Sequence, residues 1–550
     1  MPNLASLLQK HLSTPDKILY RQWEEERWQD YSAGAIAALA ARWQAAFRRV
    51  GLARGERIAL ALRNSTHWVA IDQAALGFGL VVVPLYPNDN AENIAWCLTD
   101  SGTRLFVTES ERQAQGLVAV LADPPIVVCL NGEPPAPIIA VRDWLPDADL
   151  PFEIRPADPG QLATLVYTSG TTGRPKGVML SHENILDNVS AVLEIIRLNP
   201  DDALLSILPL AHMFERTCGY YCPLSAGVKV TYSRSLNLLA DDLASQQPTL
   251  LIGVPRIFER FLLRIEQKLA NAPFKSALVK LTVLLGWRCF ENRAYFPERL
   301  LYRLLRQHIA PPILKRLGGR LRLAVVGGAP IEHRVSHFFI GLGLSLIQGY
   351  GLTETSPVVS ANPPDDNIPD SVGLPLSGVT VRLNEKNELL VRSPGVMQGY
   401  WNNPAATAEV LLEDGWLNTG DLAEIAAGRI YIRGRTKDIL VLSNGEKLSP
   451  QDAEIAILDD PLFEQAMLVG EGRPYPILLA VSVERMEKTL LRHANAQLAH
   501  LPRYQKVRRV IACPEPWTME NGLLTTTQKV KRDAVCERYR LAIEQAYRER

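Results

Sequence analysis

The stretch TSGTTGRPKG, residues 168–177, sets three glycines among four hydroxyl side chains and closes on Lys176 and Gly177. That pattern suits a polyanion, because loop amides and hydroxyls ring phosphate oxygens where glycine leaves room for close approach. A nucleotide triphosphate is the natural ligand. The stretch is not a Walker A loop, which needs glycine just ahead of the lysine and Ser or Thr directly after it. Here Lys176 follows Pro175 and precedes Gly177. A surface turn rich in Gly and Thr would explain the composition, but not the apolar strand ATLVY that leads straight into it.

Four later stretches extend the pattern: QGYGLTETSP (348–357), LNTGDLAEI (417–425), GRIYIRGRTKDILVLSNGEKLSP (428–450) and LTTTQKVKR (524–532). Together with YTSGTTGRPKGVMLSH, and in this order, they resemble the signatures of acyl-adenylate-forming enzymes, which include acyl-CoA synthetases, luciferases and the adenylation domains of peptide synthetases. Five ordered matches over about 360 residues are specific where any one alone is weak. The chemistry fits the residue types. A carboxylate resists nucleophilic attack because its leaving group would be oxide, so such enzymes first join it to AMP and expel pyrophosphate, and charge handling dominates catalysis.

The resemblance implies roles residue by residue. Thr168, Ser169, Gly170, Thr171, Thr172, Gly173 and Lys176 would hold the β- and γ-phosphates, with Thr172 also counted as catalytic. Glu354 would help hold Mg²⁺ between the phosphates, a hard oxygen ligand for a hard cation; its plain alternative is an exposed loop glutamate. Tyr350 would lie along the adenine, with Gly328 and Ala329 of GGAP lining the base and Gln348, Gly349, Gly351 and Thr353 completing the nucleotide site. Asp421 has two acceptor oxygens for the ribose hydroxyls, against the plain reading of an Asx turn, and Arg435 would bind ribose or phosphate beside it. Lys529 aligns with the adenylation lysine, although the commoner text is Ser-Gly-Lys, and Lys531 and Arg532 stand as alternatives. In the family the C-terminal domain pivots after adenylation; Lys437 matches the pivot and Gly445 the segment that then lines the thiol tunnel.

Within the family, LPLAHMFER (208–216) and LIGVPRIFERF (251–261) look most like long-chain fatty acyl-CoA synthetases. His212 is then the candidate near the acyl carboxylate, against the plain reading of a satisfied core histidine. The expected reaction consumes ATP with Mg²⁺ and passes a fatty acid to coenzyme A, a carrier-protein thiol being the alternative acceptor.

The elements that must position these residues are those of an α/β protein. Helical stretches such as AGAIAALAARWQAAFRRVG alternate with short apolar runs, RIALAL, GLVVVPLY and RLFVTE, which predicts largely parallel sheets. The runs ATLVYTSG, TLLIGVP, LRLAVVGGAP and LSLIQGYG stop in glycine or proline, where α/β proteins bind ligands. From about residue 372 shorter strands and turns predict a small β-rich subdomain. We expect a large N-terminal domain of stacked α/β sheets over 1–434, and a small mobile α+β domain over 435–550 with its hinge near 435–438.

Lys+Arg and Asp+Glu both number 59, so no global field draws the chain to nucleic acid. Seven scattered cysteines argue for reduced thiols and a cytoplasmic setting, and Cys218 and Cys222, the one close pair, lack partners at zinc spacing. The first residues, broken by Lys10, His11 and Pro15, do not read as a secretion signal. ALVKLTVLLGW (277–287) falls short of the roughly 20 residues that span a bilayer; it predicts a buried helix or one resting on the inner face of a membrane.

Overall fold

The computed structural model describes residues 3–147, 150–168, 174–499, 501–502, 505–518, 521–525 and 529–548. Near-continuous runs of Val, Ile, Leu and Ala become strands covered on both faces, as parallel sheets require. One eight-stranded sheet runs in the order 399–400, 176–181, 162–168, 81–84, 57–61, 103–108, 126–129, 139–140. From Leu162–Thr168 to Ile139–Ala140 its neighbours are parallel, and the hairpin Leu162–Thr168/Lys176–Ser181 closes the other side antiparallel. A nine-stranded sheet has the order 374–375, 358–361, 345–351, 323–326, 250–253, 203–206, 229–232, 18–24, 27–32.

The largest core cluster lies where helices Ala33–Arg49 and Thr66–Phe78 separate the two sheets. Helix Thr66–Phe78 buries every residue except His67, and its sequence is accordingly apolar nearly all round, with Thr66, Asp72 and Gln73 as its buried polar residues. Ser65 accepts from the Trp68 amide at its start, and Gly79 ends it in the left-handed region (φ +87°).

The expected β-rich subdomain is a four-stranded antiparallel sheet, Thr380–Leu383, Glu388–Arg392, Leu417–Ala426 and Arg429–Arg435. Beyond it, strands Gln465–Val469, Ile477–Val481 and Val510–Cys513 form a separate sheet with its own cores. The stretch ALVKLTVLLGW lies within helix Pro273–Phe290, which packs between helices Pro255–Ala270, Phe296–Leu314 and His333–Gly341. Its Gly286 is required by that packing, since a Cβ there would come 1.9 Å from the Gly341 carbonyl oxygen. No described helix is long and apolar enough to cross a membrane.

Candidate active site

The strand ATLVY and the residues after Pro175 form the two arms of a hairpin, which places Thr168 directly opposite Lys176. Ser169, Gly170, Thr171, Thr172 and Gly173, between the arms, lie outside the described residues. Strand Gly399–Tyr400 pairs with the second arm, Tyr400 opposite Val178, and the Trp401 amide donates to the Gly177 carbonyl at 2.7 Å. This pairing sets the Lys176 ammonium over the Tyr400 ring, 5.2 Å from its centre, a cation–π contact. The Tyr400 hydroxyl in turn donates to Glu354 Oε1 at 2.9 Å. Burial, then the Glu354 charge, pushes the phenol far above its usual range, so it remains a donor. Glu354 sits on the single 3₁₀ turn Thr353–Thr355, its carbonyl accepting from the Met397 amide at 2.9 Å.

Just before that turn, Gly351 allows a close approach: a Cβ would lie 1.9 Å from the Pro357 carbonyl oxygen. Tyr350 precedes it at the end of strand Ser345–Gly351 and donates its hydroxyl to Asp421 Oδ2 at 2.5 Å. Asp421 lies opposite Arg435 on the neighbouring strand, and Arg435 Nε donates to Asp421 Oδ1 at 2.8 Å. Both carboxylate oxygens are thus oriented by protein donors, and each keeps a second lone pair for a ligand hydroxyl. Gln348 is buried and donates to the Pro369 carbonyl, and Gly349 pairs with Ala361. Gly328 (φ +82°) and Ala329 form an exposed rim after strand Leu323–Val326.

Lys529, carried on the C-terminal part, meets this cluster electrostatically. Although the residue is exposed, its ammonium is held below the ordinary lysine value, first by burial and then by Arg435, with Asp421 and Asp438 acting the other way. Arg532, one alternative, is committed elsewhere: it donates to both carboxylate oxygens of Glu454 at 2.8 and 3.0 Å and to the Leu468 carbonyl at 2.6 Å. Lys531, the other, is the residue at which helix Arg532–Arg538 begins.

His212 is half-buried, and its Nδ1 accepts from the Phe214 amide at 3.2 Å. Burial, then the Lys529 charge, lowers its pKa to about 4. The ring is therefore neutral at pH 7, and with Nδ1 accepting, the proton resides on Nε2. Lys437 lies exposed in the 3₁₀ turn Thr436–Asp438, directly after Arg435, while the Thr436 hydroxyl holds Glu388 Oε1 at 2.8 Å. Gly445 occupies the exposed turn of the ribbon Leu440–Val441/Lys447–Leu448 with φ +83°. Among the described residues, neither makes a hydrogen bond to the cluster.

Tyr400 escapes motif reading: it belongs to the site through Glu354, the partner it reaches. The same holds for a fully buried polar network behind His212. There the chain forms a π-helix, Glu215–Tyr221, a wide turn often found at functional sites. Arg216 makes an ion pair with Asp72 and donates to Thr164 Oγ1 at 2.8 Å; the Tyr220 and Tyr221 hydroxyls donate to Asp72 Oδ2 at 3.0 Å each. The network ties the helix between the sheets to strand Leu162–Thr168, the first arm of the hairpin. Beside it Glu215 Oε1 accepts from Ser206 Oγ at 2.6 Å, Oε2 has no described partner, and burial raises the carboxyl to about 8. Cys218 and Cys222 are buried free thiols, and no metal-holding group of His, Cys, Asp or Glu occurs among the described residues.

In its chemistry the site offers a lysine and a carboxylate linked by one tyrosine on the hairpin side, and an oriented aspartate flanked by Arg435 and Lys529 on the other. Arg435 feels the charges of both Asp421 and Glu354, so the two halves act on one guanidinium. The family described as AMP-binding enzyme matches residues 8–401, and the AMP-binding enzyme C-terminal domain matches residues 437–550. The chain is 30% identical to long-chain-fatty-acid–CoA ligase FadD15 of Mycobacterium bovis, over 99% of this chain and 97% of that one. It is 28% identical to the chloroplastic long-chain-fatty-acid–acyl-carrier-protein ligase AEE15 of Arabidopsis thaliana, over 99% and 84%. In fold it is similar to ATP-bound MatB from Rhodopseudomonas palustris, with a TM-score of 0.77, 23% identity and 98% of each chain covered. The first match encloses Lys176, Tyr400 and Glu354, and its C-terminal companion encloses Lys529: the chain belongs to the AMP-binding enzyme family.

Proposed function

We propose that the protein activates a long-chain fatty acid with ATP, releasing pyrophosphate to form acyl-AMP, and then transfers the acyl group to coenzyme A with release of AMP. The observation that carries the proposal is the Lys176–Tyr400–Glu354 relay together with the oriented Tyr350–Asp421–Arg435 group, whose charges Lys529 shares. The substrate class rests on the fatty acid ligases among the chain's relatives.

In this reading residues 168–173 and Lys176 hold the triphosphate, Thr172 also acting in catalysis. Asp421 receives the ribose, Arg435 steadies it, Tyr350 lies against the adenine, and Gly328, Ala329, Gln348, Gly349, Gly351 and Thr353 shape the pocket. Glu354 presents one carboxylate whose orientation Tyr400 holds, the hard oxygen donor that Mg²⁺ on a triphosphate accepts, and the ion would supply charge neutralisation there. The acid's carboxylate oxygen attacks the α-phosphorus while Lys529 offsets the charge that develops, and His212 offers its Nε2–H to the carboxylate. The thiolate of coenzyme A then attacks the acyl carbonyl and AMP leaves. Between the steps the domain 435–550 turns against 1–434 about Lys437, taking Lys529 away and bringing Gly445 to the thiol's path. We place the protein in the cytoplasm, in peripheral contact with a membrane.

The test is carboxylate-dependent exchange of labelled pyrophosphate into ATP with acids of increasing length. Each CH₂ buried contributes about 0.8 kcal/mol, so kcat/KM should climb roughly fourfold per carbon until the pocket is filled. Acetate or a rigid aromatic acid as the best substrate would refute the long-chain assignment. The resemblance to AEE15 supports a carrier-protein thiol as the second candidate acceptor. Offering coenzyme A against holo carrier protein in the second half-reaction decides between them.

A further inference from the structure

Helices Pro255–Ala270, Pro273–Phe290 and Phe296–Leu314 form a layer that leaves the body of the protein just after Val254, whose Cγ1 neighbours the nucleotide-side Gly328. The middle helix buries Val279, Val283 and Leu285 against its neighbours yet leaves Phe274, Leu281 and Leu284 in solvent. On the next helix Leu300, Leu301 and Leu304 are exposed, and at the turn between the two, Tyr295 and Phe296 stand out. Phe274 and Phe296 are 76% and 80% exposed, far beyond what a ring half-covered by its own domain would show. Single exposed apolar side chains need no explanation, but a run of them on consecutive packed helices marks a surface that something covers.

The charge on this layer says what kind of surface. Residues 255–314 hold eleven Lys and Arg against four Glu and no Asp, whereas the chain as a whole is neutral. The helices therefore carry a local excess of seven positive charges, and the remainder of the molecule an equal negative excess. Lys275, Lys280 and Arg303 lie exposed on the same helices as the bare apolar residues. Aromatic and leucine side chains interleaved with long cationic ones are what an interfacial helix presents to lipid: rings enter the headgroup region while lysine and arginine stems reach outward to phosphate. A second copy of this chain would bring another seven positive charges against the first.

We propose that the layer 255–314 is a docking surface for an anionic lipid bilayer, with Phe274, Phe296 and the leucines between them entering the interface and the basic residues meeting lipid phosphates. The inference stands apart from the ligase assignment: a failure of lipid binding leaves pyrophosphate exchange untouched. None of the helices spans the bilayer, so the contact is peripheral and weakens with salt.

The experiment is sedimentation of the full-length protein with vesicles of phosphatidylcholine alone and of phosphatidylcholine containing about one-third phosphatidylglycerol, at low and high salt. The expected result is at least ~10-fold stronger partition onto the anionic vesicles, lost at high salt. Phe274→Ser with Phe296→Ser should lower that partition by roughly 10-fold or more, and Lys275→Glu with Lys280→Glu should erase the preference for anionic lipid. Pyrophosphate exchange with a soluble short acid serves as the check on folding, and Leu300→Gln with Leu304→Gln provides a second apolar probe should the Phe pair fold poorly. Equal binding to both vesicle types, or anionic binding indifferent to both apolar variants, overturns the proposal. So does a dimer in solution that the Phe pair converts to monomer.

Discussion

Glu215 offers a test in which the sign and size of the effect follow from its surroundings. It is fully buried at the first position of the π-helix, with Ser206 as hydrogen-bond donor to one oxygen and no described partner for the other. Burial lifts its carboxyl from 4.5 to about 8. Because the folded value lies above the unfolded one, folding takes up a proton across that window: the stability linked to this group is complete below pH 4.5 and is lost as pH rises to about 8. Each pH unit corresponds to about 1.4 kcal/mol. The substitution Glu215→Gln keeps the shape and the acceptor for Ser206 but cannot ionise. At pH 5, where the folded carboxyl is neutral, the two proteins should agree within about 1 kcal/mol. Between pH 6 and pH 8 the variant should gain roughly 2 kcal/mol relative to the parent. Urea denaturation at a series of pH values, followed by tryptophan fluorescence, measures the difference; Trp43, Trp68 and Trp144 are buried in the core that flanks the π-helix. Other titrating groups are common to both proteins and cancel. Parallel stability curves across pH 6–8 would refute the reasoning, because they would mean that Glu215 ionises in the fold as readily as in the unfolded chain.

Lys529→Ala should slow adenylation by about 100-fold or more, the usual cost of removing one group aimed at developing charge, and leave thioester formation from supplied acyl-AMP nearly normal; equal losses in both half-reactions would sink that role. With Lys437→Pro one backbone angle is fixed and an amide donor removed, so pyrophosphate exchange should survive while thioester formation falls; unimpaired overall turnover would exclude Lys437 as the pivot. Tyr400→Phe keeps the ring beneath Lys176 and deletes the hydrogen bond to Glu354, worth about 1 kcal/mol, so the KM for MgATP should rise about fivefold. An unchanged KM would show that Glu354 needs no such support.

Much of this molecule can be read along the chain because the signals are local. An apolar run that stops in glycine, as in LRLAVVGGAP, can only be a strand feeding a loop, and it is one, Leu323–Val326. The motif glycines likewise announce close approach before any coordinates exist, as Gly351 illustrates against Pro357. Periodicity and breaker residues act over a few positions, so strands, hairpins and ligand-binding turns follow from them. What the chain text cannot carry is which distant groups meet. Three basic residues at 529, 531 and 532 look alike in one dimension; in three, Arg532 is taken by Glu454, and the Lys529 ammonium feels the charges of Arg435 and Asp421. Tyr400 is one aromatic among many until strand pairing lays it between Lys176 and Glu354. Nothing in LPLAHMFER marks Glu215 as buried, and the helix Pro273–Phe290, expected either buried or resting on a surface, divides its apolar residues between the two only once the packing leaves some of them bare. These outcomes depend on desolvation and on contacts between residues far apart in sequence. Both are set by how the layers close on one another rather than by any residue's neighbours in the chain, and so only the tertiary structure decides them.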